Sequence, residues 1–265
     1  MIIVDPGIEI IDERDVLKRL ELCGRVCYKS EDRITPDSAE RFVRGIIKAG
    51  HTSVMEHAQI TIPLSYWAEL MHNSSSSSRS DVDVQRRIDA MMRTRTDPDN
   101  QIAVLNVRDF VLIGGSVEFL KATQHTAEGF MTARFICDRG VSHEIVRHRT
   151  LSFSQESTRY CNYGGQDVKF IRPVPFGWAN DPDSAEYKAW ESGCKGSEVA
   201  YHNMINSKAS AQEARSVLNN SVKTEIIVSG KTIWWREFLK LRTASDAHPQ
   251  IKYLADILND KVKLV

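Results

Sequence analysis

Residues 141–160 read VSHEIVRHRTLSFSQESTRY, and their spacing chooses between two chemistries. His143, Glu144 and His148 look like the ligand set of a zinc-protease helix, where histidines four residues apart grip one ion. Here they are five apart, which turns them about 140° around a regular helix. Two such histidines cannot share an ion. The other histidine cluster, His51 with Glu56-His57, has no metal spacing either, so no metal is expected.

Anion binding suits the same stretch better. Arg147, His148 and Arg149 fall at an expected helix end, where a plain basic terminus already answers the helix dipole. The residues that follow, TLSFSQESTRY, are rich in hydroxyl and amide donors and include Arg159. Arginine offers paired donors to phosphate, and Ser, Gln and backbone N–H groups satisfy the remaining oxygens or a base edge. The combination fits a phosphorylated small molecule. Arg215 in QEARSVL lies in helical register with Ala211, Ala214 and Leu218, and Arg242 follows the stripe of Trp235, Phe238 and Leu239. An arginine on an apolar face either snorkels at a rim or is paired inside a pocket. Together the two read as convergent anion contacts.

These side chains need a frame. A strand is expected at Met1–Val4 or Glu9–Ile11, and a helix near Asp15–Val26. A second helix follows, with Thr35 as its cap, Pro36 in its first turn and Gly50 as its stop. AQITIPLS reads as a short alternating strand that Pro63 either ends or pushes to a sheet edge. Residues 72–125 open on the serine run HNSSSSSRSDVD, read as loop, and continue with a short helix ending before Pro98. The segment is taken as an insertion into a single domain, being too small for a large core of its own. GFMTARFIC reads as a strand before a helix over Ser142–Arg149. A long helix over Ala185–Leu218, interrupted near Gly196, precedes the strand KTEIIVSG and helices at Trp234–Leu241 and Pro249–Leu258.

Bulk composition narrows the classes. The 265 residues are 42% hydrophobic and 26% charged, as in a globular protein. Lys plus Arg and Asp plus Glu both number 35, so no global field recruits nucleic acid or an anionic membrane. The basic stretches Arg86-Arg87 and Arg93–Arg95 read as a solvated helix face rather than an RNA surface. No apolar run is long enough to span a bilayer, and no signal peptide is read at the start. Five scattered cysteines without a CxxC pair point to reduced thiols in the cytoplasm.

Arg147-His148-Arg149, seven residues, then Ser157 is the RHR-x7-S signature of the flavin-dependent thymidylate synthases, and the chain resembles that family in further blocks. GHTSVMEH resembles its H-x-x-x-x-E-H element, EARSVL its substrate-arginine helix, and SGKTIWWREFLKLRTASDAHPQIKYLA its C-terminal flavin and nucleotide segment. The blocks follow family order over about residues 20–60 and 130–258. The resemblance implies the family's α+β fold, an antiparallel sheet flanked by helices, in a single catalytic domain with an insertion at about 72–125. It implies a homotetramer with FAD at subunit interfaces, converting dUMP to dTMP. 5,10-Methylenetetrahydrofolate would supply the methylene and NADPH the reducing equivalents, through the flavin. By position, Ser53, Glu56, Arg147, His148, Arg149, Thr150 and His248 would contact FAD. Glu144, Gln155, Ser157, Thr158, Arg159, Arg215 and Arg242 would surround dUMP, with Ser157, Arg159 and Arg242 nearest the chemistry.

An unactivated serine hydroxyl is a weak nucleophile without a positioned base. Arginines and Gln155 beside Ser157 favour anions instead, so Ser157 is read as orienting a uracil that the arginines stabilise. Three positions depart from the family pattern. Lys231-Thr232-Ile233 replaces an Asn-x-Arg pair, Leu218-Asn219 replaces Leu-Pro, and Ser154 stands for asparagine. The alternative reading is a family member that binds nucleotide and flavin with weak or no turnover.

Overall fold

The computed structural model describes residues 1–73 and 81–265. The chain runs β1 (Ile2–Val4), β2 (Gly7–Ile10), α1 (Val16–Val26), α2 (Ser38–Lys48), β3 (Gln59–Pro63) and α3 (Leu64–Asn73). Next come α4 (Asp81–Arg93), β4 (Arg95–Asp97), β5 (Ile102–Asn106), α5 (Val107–Leu112) and α6 (Val117–Lys121). β6 (Phe130–Asp138), α7 (Arg139–Ile145), β7 (Ser152–Gln155) and β8 (Lys169–Ile171) follow. The chain closes with α8 (Ala185–Asn206), α9 (Ala211–Ala214), β9 (Lys223–Lys231), α10 (Thr232–Arg242) and α11 (Pro249–Val262). The expected α+β class, antiparallel sheet with flanking helices, is what forms.

Two compact units make up the chain. The first comprises Met1–Ile11, Val26–Lys29 and Met131–Val265. Its main sheet has the order β2-β6-β9-β7, with β2–β6 and β7–β9 antiparallel. β1 and β8 form a separate pair that is parallel. Phe135 and Val228 of the sheet pack with Val141 and Ile145 of α7, Trp235, Phe238 and Leu239 of α10, and Ile251, Leu254 and Leu258 of α11. All of β9 up to Gly230 is buried. A strand buried on both faces is normally an unbroken apolar run. β9 instead carries Lys223 and Glu225, so their charges must find partners inside.

The second unit comprises Asp12–Arg25 and Ser30–Phe130. Its sheet has the order β3-β5-β4, all antiparallel. Val16 and Leu20 of α1 and Val43 and Ile46 of α2 share its core with Ile60, Leu105, Phe110 and Leu120. The stretch read as an insertion therefore contributes to the core of this unit, through β5, α5 and α6. The serine run lies at residues 74–80, outside the described residues, as do the side chains of Arg86 and Arg87. Arg93 has a structural role, donating to the buried Asp109 at 2.6 Å.

Element boundaries moved where side chains compete for the backbone. α2 starts at Ser38 rather than Pro36, because the Ser38 hydroxyl is engaged with Thr35 N–H (2.9 Å) and with Glu21 (2.8 Å). Gly50 does end it, at φ +72°, a conformation suited to glycine. α8 runs unbroken through Gly196, and the following residues form α9 and the 3-10 turn Arg215–Val217.

Candidate active site

α7 sets the site. Asp138 caps it, its carboxylate accepting from Val141 N–H at 2.7 Å and from the Gln250 amide at 2.6 Å. Burial raises the Asp138 carboxyl above its ordinary value. The helix stops at Ile145, four residues short of the expected end at Arg149, so Arg147, His148 and Arg149 occupy the turns beyond it. Arg149 N–H donates to Arg147 O (3.0 Å) and Leu151 N–H to His148 O (3.0 Å), folding the basic triplet tightly. His143, on the helix, is exposed, while His148, beyond it, is half-buried.

Glu144, His148 and Arg242 come together. The Arg242 guanidinium donates through Nε to His148 Nε2 (2.9 Å), through Nη1 to Glu144 Oε2 (2.7 Å) and through Nη2 to Glu144 O (3.0 Å). Arginine has no acceptor, so His148 Nε2 must carry the lone pair and the ring must be neutral. Burial, helped by the Arg242 charge, holds the His148 imidazole down at about 4, in agreement with that tautomer. Phe238 packs edge-on against the same ring at 4.7 Å. His248 Nδ1 approaches Glu144 at 3.9 Å, and Phe176 packs edge-on against its ring. Of the two readings of an arginine on an apolar face, Arg242 is the paired one.

The second half of the motif makes a turn. Gln155, ending β7, donates to Ser142 Oγ (2.9 Å) and Thr224 Oγ1 (3.2 Å). Ser157 N–H donates to Cys27 O at 3.0 Å, and Ser157 O accepts from Tyr160 and Cys161 N–H. The Ser157 hydroxyl accepts from Arg159 N–H at 3.3 Å and has no carboxylate or imidazole partner among the described residues. Thr158 is buried. Arg159 is exposed and lies over the Tyr160 ring at 5.1 Å.

Other expected residues stand apart. Arg147, Arg149 and Thr150 are exposed, and neither arginine has an ion-pair partner among the described residues. That donor set fits an anionic group such as a diphosphate. Ser53 and Glu56 belong to the second unit, in the 3-10 turn Thr52–His57, and Glu56 pairs with Arg108. Arg215 opens a 3-10 turn and is exposed, because α9 ends at Ala214 and the helical register with Leu218 is lost. Lys231 stacks over Trp234 at 5.3 Å.

Sequence reasoning missed a buried charged cluster behind the Ser157 turn. Lys29 Nζ donates to Glu225 Oε1 (2.6 Å), Arg134 Nε to Glu225 Oε2 (2.7 Å), and Lys223 to both Glu225 and Glu156. Tyr163 OH donates to Glu156 Oε1 at 2.8 Å. Burial pushes the Glu225 carboxyl up, but Lys223 and Lys29 outweigh it and hold the group down at about 2. Burial and Glu156 raise the Tyr163 phenol. A cavity of about 240 Å³ opens beside the turn, lined by Tyr28, Lys29, Tyr160, Tyr163, Lys169 and Lys223 among others. The available signal was Lys223 and Glu225, two apart just ahead of the apolar run Ile226–Val228 and so on one face of the strand.

Comparison with known proteins adds an independent line. The chain is 26% identical over 258 residues to the flavin-dependent thymidylate synthase of Corynebacterium efficiens, covering 92% of this chain and 74% of that one. It is 29% identical over 119 residues to that of Thermococcus onnurineus, covering 45% and 48%. A crystal structure of the UMP/dUMP methylase PolB from Streptomyces cacaoi bound with 5-Br dUMP aligns over all of this chain and 93% of its own. Its TM-score is 0.46, at 17% identity. The family described as Thymidylate synthase complementing protein matches residues 9–101 and 117–265, reaching well into the stretch read as an insertion. With nearly its whole length matched, the chain belongs to that family, and the relatives just described are flavin-dependent thymidylate synthases.

Proposed function

We propose that this chain is a flavin-dependent thymidylate synthase, a single catalytic domain that methylates dUMP to dTMP with 5,10-methylenetetrahydrofolate and NADPH. The observation that carries the reading is the family match across residues 9–101 and 117–265, which includes the basic turn and the Ser157 turn. Arg147, Arg149 and Thr150 hold the anionic part of FAD, with His148 and His248 in the same role, and Ser53 and Glu56 of the second unit are further FAD contacts that the resemblance implies. When bound, FAD supplies the hydride-transfer chemistry that no side chain offers. Glu144, Gln155, Ser157, Thr158, Arg159, Arg215 and Arg242 hold dUMP. Arg159 and Arg215, both exposed, supply phosphate donors. Arg242, fixed by Glu144 and His148, stabilises negative charge on the base with its remaining N–H groups. Ser157 lacks a base, which supports an orienting role over nucleophilic attack. The active form is a homotetramer in the cytoplasm. Among the described residues no helix is long and apolar enough to cross a membrane.

One observation favours a second reading, binding without turnover. Ile233 stands where the family pattern has its arginine, and Lys231, the nearby cation that could compensate, is already engaged with Trp234. The deciding test is cofactor uptake: the purified protein should bind FAD, turn yellow and have its flavin reduced by NADPH. Protein that stays colourless, with a melting temperature moved by neither FAD nor dUMP, would refute both readings.

A further inference from the structure

Three consecutive residues, Cys27, Tyr28 and Lys29, each grip a different part of the Ser157 turn and its support. The Cys27 carbonyl accepts from Ser157 N–H at 3.0 Å. The Tyr28 ring packs on Tyr160 with centroids 5.3 Å apart and planes at 47°. Lys29 Nζ reaches Glu225 at 2.6 Å. Glu225 in turn accepts from Arg134 and Lys223, and its backbone carbonyl accepts from Glu156 N–H at 2.8 Å, one residue before Ser157. Lys223 also reaches Glu156, so both neighbouring carboxylates share one ammonium. Glu225 and Glu156 are nearly inaccessible, at 5% and 3% of their full exposure.

A buried ion cluster of this kind is a poor way to gain stability, since apolar side chains of like volume do as well or better. It does impose a single geometry, because each charge is tolerated only while its partners are in place. We propose that Glu225 is a positioning residue for the nucleotide: with Lys29, Arg134 and Lys223 it locks the 27–29 segment to β9 and so fixes the Ser157–Arg159 turn. Tyr28 is the outer part of the same clasp, bracing Tyr160 and through it the Arg159 side chain stacked there. The proposal rests on the reading of Ser157–Arg159 as the dUMP-holding turn.

The test compares Glu225→Gln, Tyr28→Leu, Arg159→Ala and the Glu225→Gln/Arg159→Ala double variant in the full chain loaded with FAD. Glu225→Gln should weaken dUMP binding roughly tenfold, about 1.4 kcal/mol, and change FAD affinity less than about twofold. It should add little to the loss already produced by Arg159→Ala, because both act through one turn. Amide hydrogen exchange at Ser157 and Cys161 should quicken at least about tenfold in Glu225→Gln, with the α10 amides unchanged. Additive losses, unchanged dUMP affinity, or equal acceleration throughout the chain would overturn the proposal. Should Glu225→Gln fail to fold, Tyr28→Leu decides, since it leaves the buried charges intact. Faster Ser157 exchange and weaker dUMP binding support the clasp, and wild-type values for both refute it. If the wild-type protein binds no dUMP, the functional reading fails, and the local exchange comparison alone settles whether Glu225 positions the turn.

Discussion

Replacing Arg242 by alanine removes one guanidinium that serves two neighbours. Its side chain is 19% exposed and that of Glu144 30%, so the pair is mostly shielded. A hydrogen bond to a charged group contributes about 1.5–3 kcal/mol, and the three bonds share one donor group, so their losses do not add. A destabilisation of about 3 kcal/mol is therefore expected, and at about 2–4 °C per kcal/mol the melting temperature should fall by about 6–12 °C. Four of the five tryptophans, all but Trp67, lie in the first unit, so tryptophan fluorescence follows the melting of that unit. The same variant removes one of the two causes that hold His148 at about 4, leaving burial. Its titration midpoint, read by NMR of the imidazole, should rise toward the ordinary 6.5 without reaching it. Arg242→Lys keeps the charge but loses the fork, so it should melt in between and leave the midpoint low. A melting temperature within about 1 °C of wild type, with an unmoved His148 midpoint, would refute the claim that Arg242 organises Glu144 and His148.

Further outcomes follow from the same geometry. Arg159→Ala should weaken dUMP binding far more than FAD binding, measured by calorimetry on each ligand, and equal losses would contradict the assignment of the two halves of the motif. Arg147→Ala with Arg149→Ala should do the reverse, releasing FAD while dUMP still binds. Asp138→Ala removes the α7 cap and should cost about 1 kcal/mol in urea unfolding. Stability should also fall on acidification in two windows. Unfolded His148 takes up its proton near 6.5 and the folded form only near 4, so its contribution is present above 6.5 and lost as pH falls toward 4, together with those of His57 and His125, which burial holds down at about 3. The Glu225 contribution is present above 4.5 and lost as pH falls toward 2, which unfolding curves at stepped pH for wild type against Glu225→Gln would separate from the buried histidines.

Elements with strong periodicity were readable before folding was considered: β6, β9, α10 and α11 form close to where their patterns place them. The short strands were not, because β4, β7 and β8 take their identity from pairing partners distant in sequence rather than from local alternation. Within the site, the stripe of Trp235, Phe238 and Leu239 left Arg242 either snorkelling at a rim or paired, and only the folded chain, by bringing Glu144 and His148 to it, makes it the paired one. The helical register read for Arg215 does not form, since α9 stops one residue earlier. Lys29 and Glu225 escaped notice because residues 196 positions apart carry no spacing signal, and a charge pair across that distance exists only once the chain has folded.

The most direct test is tritium release from C5-labelled dUMP, run with 5,10-methylenetetrahydrofolate and NADPH, with and without added FAD. The account predicts release above background that depends on FAD and disappears in Arg159→Ala. Protein that binds FAD and dUMP yet releases no tritium would contradict it, leaving a nucleotide-binding scaffold without turnover.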